Sequence, residues 1–396
     1  MNLVTEPSVL TASGLVRTTS ARWVVTGVFF AFAIGIGLWA GATPVLMRQA
    51  GVDAAGLGIA LTLNAAAYVA AMTGAGALAR RVGPRRMILM LLPLHALAFL
   101  AIFAAGSPPA LMLGLAAMGA TAGAIDLAMN AEGTAVEREL GRPVLTRMHA
   151  AGSAAFALGA IGGSLIATRV GPLACAAIIA VVVLLVAASV ARLGPRHATA
   201  AGGGAARIGA RVGPVVLLLG AVLGLSIAAE TTAAMWSSKY LERQAAELAA
   251  YAGAGAAFFA GCQAVIRFLG DGLRRRFGDP RLISVSLALA AVGFGVVATI
   301  EGFGPSLVGF ALVGLGTGCV VPCCFALIAR SDPPRAAPAL AMASLLAGAI
   351  RLPTPLYLGF VATAWSDAVA FAGIALGLVA GLVLFQRARG RMLQPR

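Results

Sequence analysis

Twelve apolar stretches, most of them near the length that crosses a bilayer, leave this 396-residue chain little choice of fold. A hydrocarbon core about 30 Å thick is crossed by about 20 helical residues. Runs of that order lie at 22–48, 55–79, 87–106, 109–133, 148–168, 172–192, 213–240, 247–270, 282–300, 304–330, 336–361 and 366–386. Lipid offers no hydrogen bonds, so each run must satisfy its own backbone as a helix. A barrel would need short alternating strands, and none are visible. The chain is 60% hydrophobic and 11% charged, too apolar to be one soluble core, and its 50 glycines suit close contact between helices in a membrane. The run from Trp23 to Met47 has no charge and exceeds a signal-peptide core, so it is read as the first span and not as a leader. The expected fold class is an all-α integral membrane protein with twelve transmembrane helices in two six-helix halves.

The formal net charge of +15 invites a nucleic-acid reading, but its distribution argues for topology. With the N-terminus in the cytoplasm, Arg48, Arg169, Lys239 and Arg243 fall outside and Arg267 and Arg351 fall within spans. All the other basic residues of the 29 fall inside. That is the positive-inside pattern, and it puts both termini in the cytoplasm. Residues 193–212 form the one long polar, glycine-rich interruption and read as a cytoplasmic linker between an N-terminal bundle (1–192) and a C-terminal bundle (213–396). The five cysteines all lie in apolar stretches, and Cys319, Cys323 and Cys324 have neither zinc-type spacing nor a nearby histidine, so they read as packing residues.

The two bundles carry a repeated loop. LARRVGPRR at 78–86 resembles LRRRFGDPR at 273–281, each between the second and third spans of its half, with Arg80, Arg81 and Gly83 matching Arg275, Arg276 and Gly278. A twofold repeat of six-helix halves is a transporter signature.

The first loop resembles the G-x-L-A-D-R-x-G-R-R stretch of the major facilitator superfamily through Gly76, Leu78, Ala79, Arg81, Gly83, Arg85 and Arg86. Arg80 stands where that family has an aspartate. The resemblance implies that this loop is a conformational latch, shared with Arg275, Arg276 and Gly278 of the second copy. Asp271 is expected to serve the second loop, with Arg267 as its partner at i+4. DLAMNAEGTAVERELGRPVLTRMHAAGS (126–153), AAETTAAMWSSKYLE (228–242) and RFLGDGLRRRFG (267–278) resemble the YbjJ-like branch of bacterial inner-membrane carriers, itself distantly similar to fucose permeases. An inner-membrane location is implied by that resemblance.

Ionisable groups at mid-membrane cost about 2.5–3.5 kcal/mol on insertion scales, so each needs a partner, a watery cavity or a function. Asp126, Asn130 and Glu137 share one face of the fourth span. They read either as a structural network with the loop arginines or as a proton-accepting site. Glu230 in the seventh span is a candidate for substrate hydrogen bonding or proton coupling, or a partner of Lys239 or Arg351. Trp236 could stack on a ligand or anchor the membrane interface. Arg351, in the eleventh span, would hold an anionic substrate group or neutralise Glu230 or Asp126, and Pro353 and Pro355 should break the helix just beyond it. Gln263 lies one turn before Arg267. His149 can exchange protons near neutrality, whereas His95 reads as a packing residue. Gly159, Gly162 and Gly163 resemble part of a motif of drug/proton antiporters, but the motif's proline is missing and the glycines read as close helix packing.

The only lysine is Lys239, so the P-loop motif is absent and no ATP hydrolysis or other enzymatic activity is expected. What remains is a gradient-driven carrier for a small organic solute, with the proton favoured and sodium coupling or uniport left open. A metabolite- or drug-efflux antiporter is the alternative; a channel or a non-transporting sensor ranks lower. The expected partners are a small-molecule substrate, protons and the bilayer. The chain is expected to work as a monomer without nucleic acid, metal or cofactor.

Overall fold

A computed structural model describes residues 12–142, 144–193, 213–331 and 335–393. The described residues fold into fourteen α-helices and one 3₁₀ turn, with no strand among them. The N-terminal half holds α1 (Ala12–Ala50), α2 (Ala54–Val82), α3 (Pro84–Phe103), α4 (Pro108–Leu140), α5 (Leu145–Arg169) and α6 (Pro172–Arg192). The C-terminal half holds α7 (Pro214–Gln244), a 3₁₀ turn (Ala246–Tyr251), α8 (Ala254–Phe277), α9 (Asp279–Thr299), α10 (Phe303–Thr317), α11 (Val320–Ser331), α12 (Ala336–Arg351), α13 (Thr354–Ala364) and α14 (Asp367–Leu393). The pairs α10–α11 and α12–α13 each form one broken crossing, so the total is twelve helical segments long and apolar enough to span a membrane. The expected linker lies outside the described residues apart from Leu193.

The halves repeat each other contact by contact. In the first, α1 packs on α5, α2 on α4, and α3 on α4 and α6. In the second, α7 packs on α12, α8 on α10, and α9 on α10 and α14. The two joints between the halves, α5 with α8 and α2 with α13, exchange under the same correspondence. Small residues permit this. Gly159 and Gly163 press against the α1 backbone, where a side chain would collide. Gly162 has room, so the glycine cluster of the fifth span serves packing.

The joints are tightest toward the face opposite the arginine-rich loops. Gly58 of α2 meets Gly359 of α13 so closely that a Cβ on Gly58 would lie 3.1 Å from the Gly359 Cα. Gly253 sits against the Ala160 carbonyl, and Arg48 at the end of α1 pairs with Glu242 of α7 at 2.5 Å. The halves are thus in close contact on the Arg48 side.

Several boundaries differ from the sequence reading. The fourth span continues to Leu140, where Gly141 caps it in the left-handed region (φ 62°). The eighth begins at Ala254, after the 3₁₀ turn, and ends at Phe277. This later start moves Gln263 and Arg267 from the inner end of the span to its middle, and the longer α7 moves Glu230 to its centre. Hydropathy registers the oily centre of a helix but not the polar turns that prolong it. The eleventh crossing breaks after Arg351, as Pro353 and Pro355 require.

Candidate functional site: a polar cavity between the halves

Between the halves lies a cavity of about 420 Å³ walled by α1, α2, α4, α5, α7, α8 and the α12–α13 break. Asp126, His149, Glu230, Gln263 and Arg351 all line it. Asp126, Glu230 and Arg351 stand at or beside the middle of their crossings, where a charge is least tolerable outside a cavity.

The N-terminal wall is one connected hydrogen-bond chain. Tyr68 Oη of α2 donates to Asp126 Oδ2 of α4 at 2.6 Å. Asn130 Nδ2 donates to Asp126 Oδ1 at 2.9 Å, the i+4 contact that one helix face provides. Asn130 Oδ1 then meets His149 Nε2 of α5 at 3.0 Å, which makes that ring nitrogen the donor. His149 sits in the first turns of α5, nearer the arginine-rich face, and packs edge-on against Phe29 at 4.8 Å.

The C-terminal wall is built around an ion pair. Arg267 Nη2 of α8 donates to Glu230 Oε2 of α7 at 3.2 Å. The expected partners of both residues are therefore wrong. Asp271 is 80% exposed and approaches only Arg274, at 3.9 Å, while Lys239 pairs with Asp367 at 2.5 Å. The i+4 rule pointed Arg267 along its own helix, but a buried carboxylate on the neighbouring helix is the stronger attractor. Glu230 Oε1 is buried and has no hydrogen-bond partner, and Gln263 Nε2 donates to Thr317 Oγ1 at 3.3 Å.

Arg351 ends α12, where the free carbonyls of the helix terminus favour a cation. Its guanidinium lies 5.8 Å from the centre of the Tyr68 ring, across the interface between the halves. No described carboxylate comes within 4 Å of it, so it neutralises neither Glu230 nor Asp126 by direct pairing. Trp236 does not reach the cavity. It is buried at 2% exposure inside the C-terminal half, beside the Lys239 ammonium at 5.6 Å, so it neither faces a ligand nor anchors the membrane interface. His95 is fully buried, hydrogen-bonded to Thr121 through Nδ1 at 2.8 Å and stacked on Phe32, with its Nε2 buried and without a hydrogen-bond partner.

The profile of the Major Facilitator Superfamily matches residues 24–352. The chain belongs to that superfamily. It is a multi-pass membrane protein, and its relatives are transporters of the same type. It is 28% identical over 364 residues to an uncharacterised MFS-type transporter of Yersinia pestis, covering 89% of this chain and 91% of the relative. It is 28% identical over 375 residues to an uncharacterised transporter of Sinorhizobium fredii, covering 92% and 96%. Among solved structures it resembles the nucleoside transporter NupG, with a TM-score of 0.75 at 14% identity over 93% of this chain and 99% of that one. It also resembles the Escherichia coli fucose:proton symporter FucP, with a TM-score of 0.58 at 19% identity over 93% and 98%. At such identities these two likenesses speak for the fold alone.

The loops that carry the MFS motif share a backbone. Gly83 (φ 83°, ψ 151°) and Gly278 (φ 75°, ψ 151°) turn the chain identically between the second and third helices of each half, in a region open to glycine. Of the arginines expected from the motif, only Arg85 fastens its loop; the others do not. Arg80, Arg81, Arg86, Arg275 and Arg276 are exposed, without a described carboxylate within 4 Å, and Gly76 is half-buried with only the Arg80 side chain near it. In the first half Arg85 alone turns inward: its Nε donates to Glu132 Oε1 of α4 at 2.6 Å and its Nη1 to the Leu193 carbonyl at 3.2 Å. In the second half Asp279 accepts from Arg274 at 2.7 Å and from Arg330 at the end of α11. Glu137, grouped with Asp126 from its helix face, accepts instead from the Val144 and Leu145 amides at 2.7 and 2.9 Å and so holds the start of α5.

Three of these residues escaped sequence reasoning. Tyr68 had a signal, since Asn64 and Tyr68 repeat at i+4 within an otherwise apolar span. Glu132 lies off the Asp126 face and points to α3 rather than the cavity, so helical periodicity set it aside. Asp279 was hidden by its place in a basic loop.

Proposed function

We propose that this protein is a proton-coupled secondary transporter that moves a small organic solute across the bacterial inner membrane by alternating access, with Asp126 as the proton-carrying group. The observation that supports this most is the chain from His149 through Asn130 to Asp126 and Tyr68, of which His149, Asp126 and Tyr68 line a cavity between two pseudo-symmetric halves. A carboxylate held at mid-membrane, reachable through a cavity and hydrogen-bonded by one side chain of its own helix and one of another, has the features of a proton carrier. Coupling to the other half follows from Tyr68. Its hydroxyl serves Asp126 and its ring faces Arg351 of the C-terminal half. A proton on Asp126 weakens the Tyr68 hydrogen bond and thereby loosens a contact that spans the two halves. Glu230 and Arg267 form the facing wall, with Glu230 the second candidate for coupling. The exposed arginines of the 78–86 and 273–281 loops lie on the cytoplasmic side in this scheme, and the Arg48 side is periplasmic.

The test is transport in proteoliposomes, using solutes chosen by a thermal-shift screen of the purified protein. The wild type should exchange labelled for unlabelled solute and move protons with it. Asp126→Asn should retain exchange while losing movement driven by a proton gradient, and Glu230→Gln should impair the same step. Full proton-driven transport in both variants would show that coupling resides elsewhere. The absence of saturable exchange for any bound solute would remove the carrier reading itself.

A further inference from the structure

The cavity carries a charge balance that specifies a ligand. Of its two carboxylates, Glu230 is engaged by Arg267, and its free oxygen is buried away from the cavity surface. Asp126 accepts from Tyr68 and Asn130 with both oxygens. Glu230 is thus charge-paired, and Asp126 has both oxygens taken by neutral donors, which orient it without cancelling its charge. Arg351 is the opposite case. Its guanidinium lines the cavity, has no described carboxylate within 4 Å, and has an aromatic face as its recorded partner. A mid-membrane arginine with no carboxylate in contact is costly to keep, and a guanidinium presents a planar fork of donors that matches a carboxylate.

The rest of the wall is equally one-sided. Phe29, Phe32, Trp39, Tyr68, Phe156 and Phe259 contribute six aromatic side chains to this one cavity, in a chain that is only 6% aromatic. All but Phe259 belong to the N-terminal half, whereas Arg351 belongs to the C-terminal half. A solute with an anionic group at one end and an aromatic body at the other would therefore touch both halves at once. With Arg267 committed to Glu230, a single guanidinium is free, which suits a monoanion and leaves a dianionic phosphate half-compensated.

We propose that the substrate is an aromatic monocarboxylate, its carboxylate held by Arg351 and its ring lodged among the aromatic side chains of α1, α2 and α5. This rests on the reading of the cavity as the transport site and narrows it to a chemical class.

The experiment is equilibrium binding to the purified full-length protein in detergent. The probes are a series of aromatic carboxylates from benzoate and phenylacetate to indole acetate, the primary amide of each, and phenethylamine. At least one acid should bind, with its amide and the amine binding about ten- to hundredfold more weakly, the worth of a hydrogen bond to a charged group. Arg351→Gln should abolish that preference. Arg351→Lys, which keeps the charge but not the fork, should retain part of it. Both variants must keep the size-exclusion profile and thermal midpoint of the wild type. If Arg351→Gln fails that check, the Lys variant and the acid-to-amide ratio of the wild type decide the matter. Equal binding of acid and amide, no acid binding at millimolar concentration, or an unchanged ratio in Arg351→Gln would each overturn the proposal. Counterflow separates the two readings. Saturable exchange of a neutral or cationic solute with no acid preference leaves a carrier of another substrate class. Arg351-dependent binding of acids without exchange keeps the ligand class and removes the carrier.

Discussion

The two loops that follow the second helix of each half have the same backbone and opposite electrical design. Gly83 and Gly278 adopt nearly the same dihedral angles. After the first, a base reaches an acid on the fourth helix, Arg85 to Glu132. After the second, an acid reaches a base at the end of the tenth crossing, Asp279 to Arg330, with Arg274 as a second partner. The turn has the same geometry in both halves, but the clasps use different positions: by the alignment of the loops Arg85 falls on Pro280 and Asp279 on Pro84.

The clasps differ in burial, and their energetics should follow. In the first, both side chains are almost wholly buried, at 10% and 1% exposure. Removing one partner there strands a charge in a low-dielectric setting. Glu132→Ala is expected to cost about 3–5 kcal/mol, read as a lowered thermal midpoint in detergent. The paired replacement Arg85→Met with Glu132→Leu should recover most of that loss. If the single substitution costs no more than a surface change, the first clasp is not a buried ion pair.

In the second clasp Asp279 is buried but Arg330 is 63% exposed and can turn to water. Asp279→Asn is therefore expected to cost less, about 1.5–3 kcal/mol, by the loss of charged hydrogen bonds. Equal losses in the two halves would erase the distinction drawn here. The smallest effect belongs to the pair that joins the halves, Arg48 and Glu242. At 58% and 20% exposure it should be worth about 0.2–1 kcal/mol, and its contribution should shrink with added salt. A larger, salt-insensitive loss on Arg48→Ala would mean that this contact, and not the glycine packing of α2 on α13, holds that face together.

The walls of the cavity show a similar division between what was legible and what was not. Asp126, Asn130 and His149 could be grouped beforehand because i+4 spacing and the adjacency of the fourth and fifth spans place them together. Arg351 could be singled out by cost alone. Partnership was less legible. Arg267 was assigned to Asp271 by helical spacing and instead reaches across to Glu230, and Lys239 went to Asp367. Trp236 had the composition of a ligand platform and the position of a core residue.

The sequence by itself determined the number of crossings, the gathering of the arginines in the loops and the repeat of one loop in each half. These depend on local quantities: the length of an apolar run, the cost of charge in lipid and the self-sufficiency of a helix. Only the tertiary structure decided which charges meet, which face of each helix borders the cavity, and that Arg351 has no carboxylate in contact. Those are properties of helix rotation and neighbour choice, set by small-residue contacts such as Gly58 on Gly359. Packing in lipid selects neighbours by shape, and shape is not written in the order of the residues.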